Sequence, residues 1–198
     1  MMSVKSDLLA DISKWQTSLS VAPINLPLEE DIAPAAVLIM LADLSSDPVI
    51  VLTKRAAHLK KHAGQISFPG GRVDSADESL IHTALREAEE EIAMPSHLVD
   101  IKGFLPDMMT GTGYRVTPVV GLVNASQSQL SSQLVPEPQE VDDVIFAPAK
   151  TLLNSKLYSS FEREHNGKRW TSWRIDIDGH IIWGATAAIL HRWAEQLS

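Results

Sequence analysis

The chain has 198 residues, 44% of them hydrophobic, a length and composition that suit one domain with a real core plus an extension. Its net charge of -8 leaves no basic surface for neutralising phosphates, which argues against a nucleic-acid partner, although bound cations can still bring an anionic substrate to an acidic protein. Cysteine is absent, which excludes disulfides, thiolate metal ligands and a cysteine nucleophile and fits a reducing cytoplasm.

The N-terminal residues have no signal-peptide run, and no stretch approaches the roughly 20 apolar residues of a membrane span. Leu8, Ile12, Trp15 and Leu19 recur at helical spacing, which predicts an amphipathic helix over Asp7–Leu19. A proline-punctuated linker follows to Pro34, so residues 1–33 read as an extension and 34–198 as the domain proper. Ala35–Leu41 and Val49–Thr53 are expected as a strand hairpin, Ala56–Gly64 as a basic loop or short helix, and Ile66–Phe68 as a short strand entering a Gly70-Gly71 turn.

The clearest helix is Asp77–Ala93. Asp77 is a good N-cap type, and Pro95 disfavours helical backbone at Met94. Ile81, Ala84, Leu85, Ala88 and Ile92 form its apolar stripe. Val99–Leu105 and Arg115–Val123 read as strands, Asn124–Gln139 as a polar and mobile segment, and Val141–Phe146 as a strand. Lys168–Ile177 and His180–Trp183 form a hairpin through Asp178-Gly179, and Ala185–Leu197 is a closing helix. Mixed strands with a few helices predict the α+β class.

The chemistry concentrates in Val51–Met94. Glu87, Glu90 and Glu91 stand at i, i+3 and i+4, hence on one helix face, where like charges repel. A hard divalent cation, which takes oxygen ligands, would resolve that repulsion. Glu89 points away from this face.

Gly71, Glu78 and the run Arg86-Glu87-Ala88-Glu89-Glu90-Glu91-Ile92-Ala93-Met94 resemble the Nudix box, G-x5-E-x7-R-E-U-x-E-E-x-G-U. Two features depart from it: one extra residue lies between Gly71 and Glu78, and Ala93 replaces a glycine. Upstream, Leu52-Thr53-Lys54-Arg55, Lys60, Gly64 and Phe68-Pro69-Gly70-Gly71 are similar to the block that marks the coenzyme A pyrophosphatase branch of the Nudix hydrolases, with Val51 for its first Leu and Lys60 for its second Arg. Lys60 keeps the charge but not the planar fork.

The resemblance implies a Nudix-type α/β/α sandwich with a mixed sheet. It also implies a pyrophosphohydrolase using Mg2+ or Mn2+ that cleaves CoA or its derivatives to 3′,5′-ADP and 4′-phosphopantetheine species. Glu87 and Glu91 would be metal ligands, and Glu90 a ligand or the general base. Arg55, Lys60, Gly70 and Gly71 would meet the substrate, and Glu78 and Arg86 would form a structural pair. Glu137 and Glu140 are further candidates for the base. Tyr114 and Arg115 fit a strand edge or a substrate contact. His58 and His62 read as surface residues, and Trp170, Trp173 and Trp183 as core or interface. Another nucleoside diphosphate conjugate as substrate, or a non-catalytic nucleotide-binding module, stay open as alternatives. The N-terminal helix and the tryptophans would suit a homodimer.

Overall fold

A computed structural model of the protein describes residues 32–44, 47–165 and 168–197. The helix expected over Asp7–Leu19 and most of the linker after it lie outside those residues. The central strand is β1 (Ala33–Ala42), whose alternation sends side chains to two cores. Ala36, Leu38, Met40 and Ala42 face one apolar cluster, while Ala35, Ile39 and Leu41 face another. A strand this apolar on both sides needs cover on both faces.

β1 pairs antiparallel with β2 (Val49–Arg55) and parallel with β7 (Tyr114–Val123), and β5 (Val99–Phe104) closes the far edge beyond β7. β8 (Val141–Pro148) lies along β2. Along β1 the antiparallel partner changes: Met40–Ala42 pair with β2, whereas Ala35–Val37 pair with β4 (Gly70–Arg72), which follows β3 (Ile66–Ser67). Gly70-Gly71 is therefore not the turn the sequence suggests but a short strand inserted at a fork in the sheet. A small two-residue strand, β6 (Met108–Met109), pairs with the start of β7.

Helix α1 (Leu80–Ile92) covers one face of the sheet through Leu80, Ala84, Ala88 and Ile92. It starts three residues later than expected. Ser79, not Asp77, is the N-cap, its hydroxyl accepting the His82 backbone N–H at 3.1 Å. It ends at Ala93, which takes left-handed geometry at φ 54° and donates to the carbonyls of Ala88 and Glu89.

Asn124–Gln139 is not a featureless segment. It contains α2 (Gln127–Gln133), opened by a capping box between Ser126 and Gln129. A short α3 (Ala149–Leu152) and the strand β9 (Ser159–His165) escape the sequence reading. β9 pairs with β10 (Lys168–Ile177), and β10 pairs with β11 (His180–Trp183) through the Asp178-Gly179 turn, making a separate three-stranded sheet. Both turn residues have positive φ, as a two-residue hairpin turn requires. Helix α4 (Ala185–Gln196) packs Ile189, Leu190 and Trp193 into the second core. Helices on both faces of a mixed sheet give an α/β/α sandwich of the α+β class.

Candidate active site

The fork in the sheet brings β4 under the last turns of α1, and each glycine there permits one close approach. A Cβ on Gly70 would lie 2.4 Å from the Ala36 carbonyl oxygen, and Gly70 has φ 154°. A Cβ on Gly71 would lie 2.5 Å from the Glu87 carboxyl carbon. Gly70 therefore lets β4 press against β1, and Gly71 lets Glu87 lie flat on β4.

Arg86 organises the N-terminal half of the site. Its Nε and Nη2 donate to the two carboxylate oxygens of Asp77, both at 2.9 Å, in a bidentate fork. Asp77 Oδ2 also accepts the Asp74 backbone N–H and the Thr83 hydroxyl, both at 2.9 Å. The Asp77 side chain is 1% exposed, and the Arg86 guanidinium beside it holds its carboxyl well below the usual carboxylate range. Arg86 Nη1 reaches onward to Glu87 at 3.0 Å and to Glu90 at 2.8 Å. The partner of Arg86 is thus Asp77 rather than the expected Glu78, which is exposed and offers its backbone N–H to His82 Nδ1. Five residues separate Gly71 from Asp77, the spacing of the box, so the extra residue sits between this acid and Arg86.

Glu91 is the contrasting group. It is 7% exposed, it accepts the Gly70 backbone N–H, and its Oε2 has no hydrogen-bond partner among the described residues. Burial, reinforced by the charges of Glu87 and Glu140, pushes its carboxyl up to about 8, against the opposing charge of Arg55. Burial also raises Glu87, against the pull of Arg86. Glu90 is 56% exposed in its side chain and turned to Arg86, so the expected trio is not equivalent.

Two later segments complete the site. The Glu137 backbone N–H donates to the Glu91 carbonyl at 2.8 Å, and the Glu140 carbonyl accepts the Ala56 N–H at 2.8 Å. These bonds tie the approach to β8 onto the end of α1 and onto the exit of β2. A register shift at Lys54/Arg55 re-aims the end of β2, where Arg55 faces Glu91. Glu140 is exposed and acts electrostatically on both Glu87 and Glu91. Glu137 spends its carboxylate on the Gln139 N–H. The structure therefore brings Glu140, not Glu137, to the cluster, a choice invisible without knowing where β8 begins.

Of the expected substrate residues, Arg55, Gly70 and Gly71 reach the cluster. Lys60 is exposed on the loop after β2 and has no ion pair among the described residues. Arg115 pairs with Asp107 at 3.6 Å and, with Tyr114, opens β7. His58 and His62 are exposed. The tryptophans divide: Trp173 stacks on His191 against the second core, whereas Trp170 and Trp183 line a cleft.

The donor set suits a hard divalent cation: oxygen ligands only, a buried carboxylate oxygen with no partner, and a glycine at the one place where a side chain would displace Glu87. Among the described residues no three acids or histidines converge as a finished cage, because Arg86 draws Glu90 aside. Glu87 and Glu91 are the residues best placed to hold a metal ion.

This sandwich, with a carboxylate helix docked over a glycine strand, defines a NUDIX domain, and the NUDIX domain family matches residues 32–166. The chain belongs to that family and is a Nudix hydrolase, a class that uses divalent metal ions on small nucleotide-derived substrates. It is similar to the uncharacterized Nudix hydrolase NudL of Enterobacter sp. (strain 638), 42% identical over 166 residues that cover 82% of each chain. It is also similar to NudL of Yersinia pestis (strain Pestoides F), 41% identical over 77% of this chain and 74% of the relative. Among solved structures, a Nudix hydrolase from M. smegmatis, RenU, matches with a TM-score of 0.48 and 18% identity, over 60% of this chain and 72% of its own.

Proposed function

We propose that the protein is a divalent-metal-dependent pyrophosphohydrolase that cleaves CoA or a CoA derivative to 3′,5′-ADP and a 4′-phosphopantetheine species. The observation that carries the hydrolase chemistry is Glu91, buried, with one oxygen unpartnered, between Glu87 and Glu140 and opposite Arg55. The choice of CoA rests on the block from Leu52 to Gly71.

In this reading Glu87 and Glu91 hold Mg2+ or Mn2+, with Glu90 joining when released from Arg86. The metal, when bound, would neutralise phosphoryl charge and make bound water more acidic. Arg55, at the register shift that ends β2, meets a phosphate oxygen and keeps the diphosphate near the carboxylates. Glu140 carries no hydrogen bond to its carboxylate among the described residues and faces the cluster, so it is the acid positioned to take a proton from the attacking water. Asp77 and Arg86 hold α1 and the Gly71 strand in register. Most of the rate in such a reaction comes from positioning and charge neutralisation, which these residues supply.

The test compares hydrolysis of CoA, NADH and ADP-ribose with Mg2+ or Mn2+, products identified by mass. CoA cleaved fastest, with release of 3′,5′-ADP and loss of activity on chelation, is the expected result. CoA as the poorest of the three would move the substrate to another nucleoside diphosphate conjugate. No cleavage of any conjugate would leave a nucleotide-binding module.

A further inference from the structure

The three-stranded sheet has two unlike faces. Ile175, Ile177 and Ile182 are buried on the side of the second core. Strand alternation sends Trp170 and Ser172 to the other side. The register sets Arg163 opposite Trp170 and Trp183 opposite Arg174, so all of these residues share that outer face. The Arg163 guanidinium lies 5.1 Å from the centre of the Trp183 ring.

This face is one wall of a cleft of about 380 Å3. The opposite wall is β6 and the turn after it, residues 108–112, pinned by the Tyr114 backbone N–H donating to Thr110 Oγ1 at 3.0 Å. Gly111 lets that turn come close to the benzo carbons of Trp170, since a Cβ there would be 3.1 Å from Cζ2. At the inner end stand Gln65 and Gly184. The Gln65 carbonyl accepts the Arg55 backbone N–H at 2.9 Å, so the main chain at the end of the cleft is bonded to the residue whose side chain faces Glu91.

We propose that this cleft seats the nucleobase of the substrate, a flat heteroaromatic ring stacked on the indoles of Trp170 and Trp183; its link to the reacting diphosphate rests on the hydrolase reading above. The volume lies within the range of roughly 300–1,000 Å3 for small-molecule sites. Both indoles are only half-buried, whereas Trp193, which serves packing, is 1% exposed. Every base has a π-face to stack, while a flexible aliphatic amide arm has none. Gln65, Thr112 and Ser172 supply hydrogen-bonding groups at the ring edge. Arg163, whose described partner is the Trp183 ring alone, leaves its charge for a phosphate on the sugar.

The experiment is calorimetric titration of the full chain with AMP and with ribose 5-phosphate, which differ only by the base, and neither of which contains the scissile anhydride. AMP is expected to bind at least about tenfold tighter, and Trp170→Leu and Trp183→Leu to erase most of that ratio, as loss of a base–aromatic stack does. Thr112→Phe, on an exposed loop, fills the cleft without altering either indole and is expected to weaken AMP by a similar factor, which covers the case of a leucine variant that does not fold. A ratio near one in the wild type, or a ratio unchanged in the variants, overturns the proposal. So does loss of 4′-phosphopantetheine affinity in the variants with AMP affinity kept. If conjugates are hydrolysed but the tryptophans are indifferent, the cleft is misassigned and the hydrolase reading stands. If AMP binds through the tryptophans but nothing is hydrolysed, the reverse holds.

Discussion

Two carboxylates, one just before α1 and one in its last turn, are buried to a similar extent and satisfied in opposite ways. Asp77 takes both arms of the Arg86 fork, a backbone N–H and a hydroxyl. Glu91 takes one backbone N–H and keeps a bare oxygen while two further carboxylates raise its proton affinity. A buried charge with every lone pair answered braces a structure; one left short is costly to the fold and useful only when something else completes it. A fully answered carboxylate thus stands just before the helix and an under-answered one in its last turn, joined through Arg86 and Glu87.

The largest effect on stability should come from breaking the brace. Asp77→Asn removes the bidentate carboxylate from Arg86, leaves it only Glu87 and Glu90, and should cost about 1–3 kcal/mol. Glu78→Gln, on the exposed neighbour, should change stability by no more than about 0.5 kcal/mol. Chemical denaturation of both variants checks the pair; equal effects would return Glu78 to the role the sequence suggests.

The second difference is in pH. Glu91 in the fold binds its proton more tightly than an unfolded glutamate, so the unfolded chain holds fewer protons between the two values. Stability with chelator present should therefore be greatest near or below pH 4.5 as far as this group is concerned, and should fall as pH rises towards about 8, by an amount on the order of a few kcal/mol. Asp77 contributes with the opposite sign, its stabilisation being present at neutral pH and lost only in strong acid. Thermal melts from pH 5 to 9 in chelator measure the first slope.

The smallest effect is at the helix end. Ala93 is exposed and left-handed, so Ala93→Gly should relieve strain and stabilise by about 0.5–1 kcal/mol without touching the carboxylates. An unchanged midpoint would mean that the αL geometry carries no strain here.

The apolar stripe of α1, the β1–β2 hairpin, the Asp178-Gly179 turn and the face carrying Glu87 and Glu91 were legible because each rests on a short-range period or on a residue with special backbone freedom. The partner of Arg86 was not, because two adjacent acids compete and the chain between β4 and α1 decides which one turns inward. Helix α2 carried a readable signal in Ser126-Gln127-Ser128-Gln129, a capping box outweighed by the polarity around it. β4 was hidden because two glycines read as a turn until β1 is known to need a partner. Glu140 depended on a long-range choice, the meeting of β2 and β8, which no local pattern encodes. Trp170 and Trp183 could not be separated from Trp173 until the face of β10 that meets the core was known.

The most direct measurement of the account is Glu91→Gln, with unfolding midpoints in chelator at pH 6 and pH 9 and the rate of diphosphate hydrolysis taken from the same preparation. The neutral amide mimics the protonated acid in both the folded and the unfolded chain. The variant should therefore already exceed the wild type in stability at pH 6, where the unfolded glutamate is ionised, and exceed it by more at pH 9, while hydrolysis falls by about a thousandfold, the scale of several kcal/mol of lost charge stabilisation. A variant that is less stable at both pH values, or that keeps its rate, would show Glu91 to be a structural group like Asp77 and would contradict the assignment of the site.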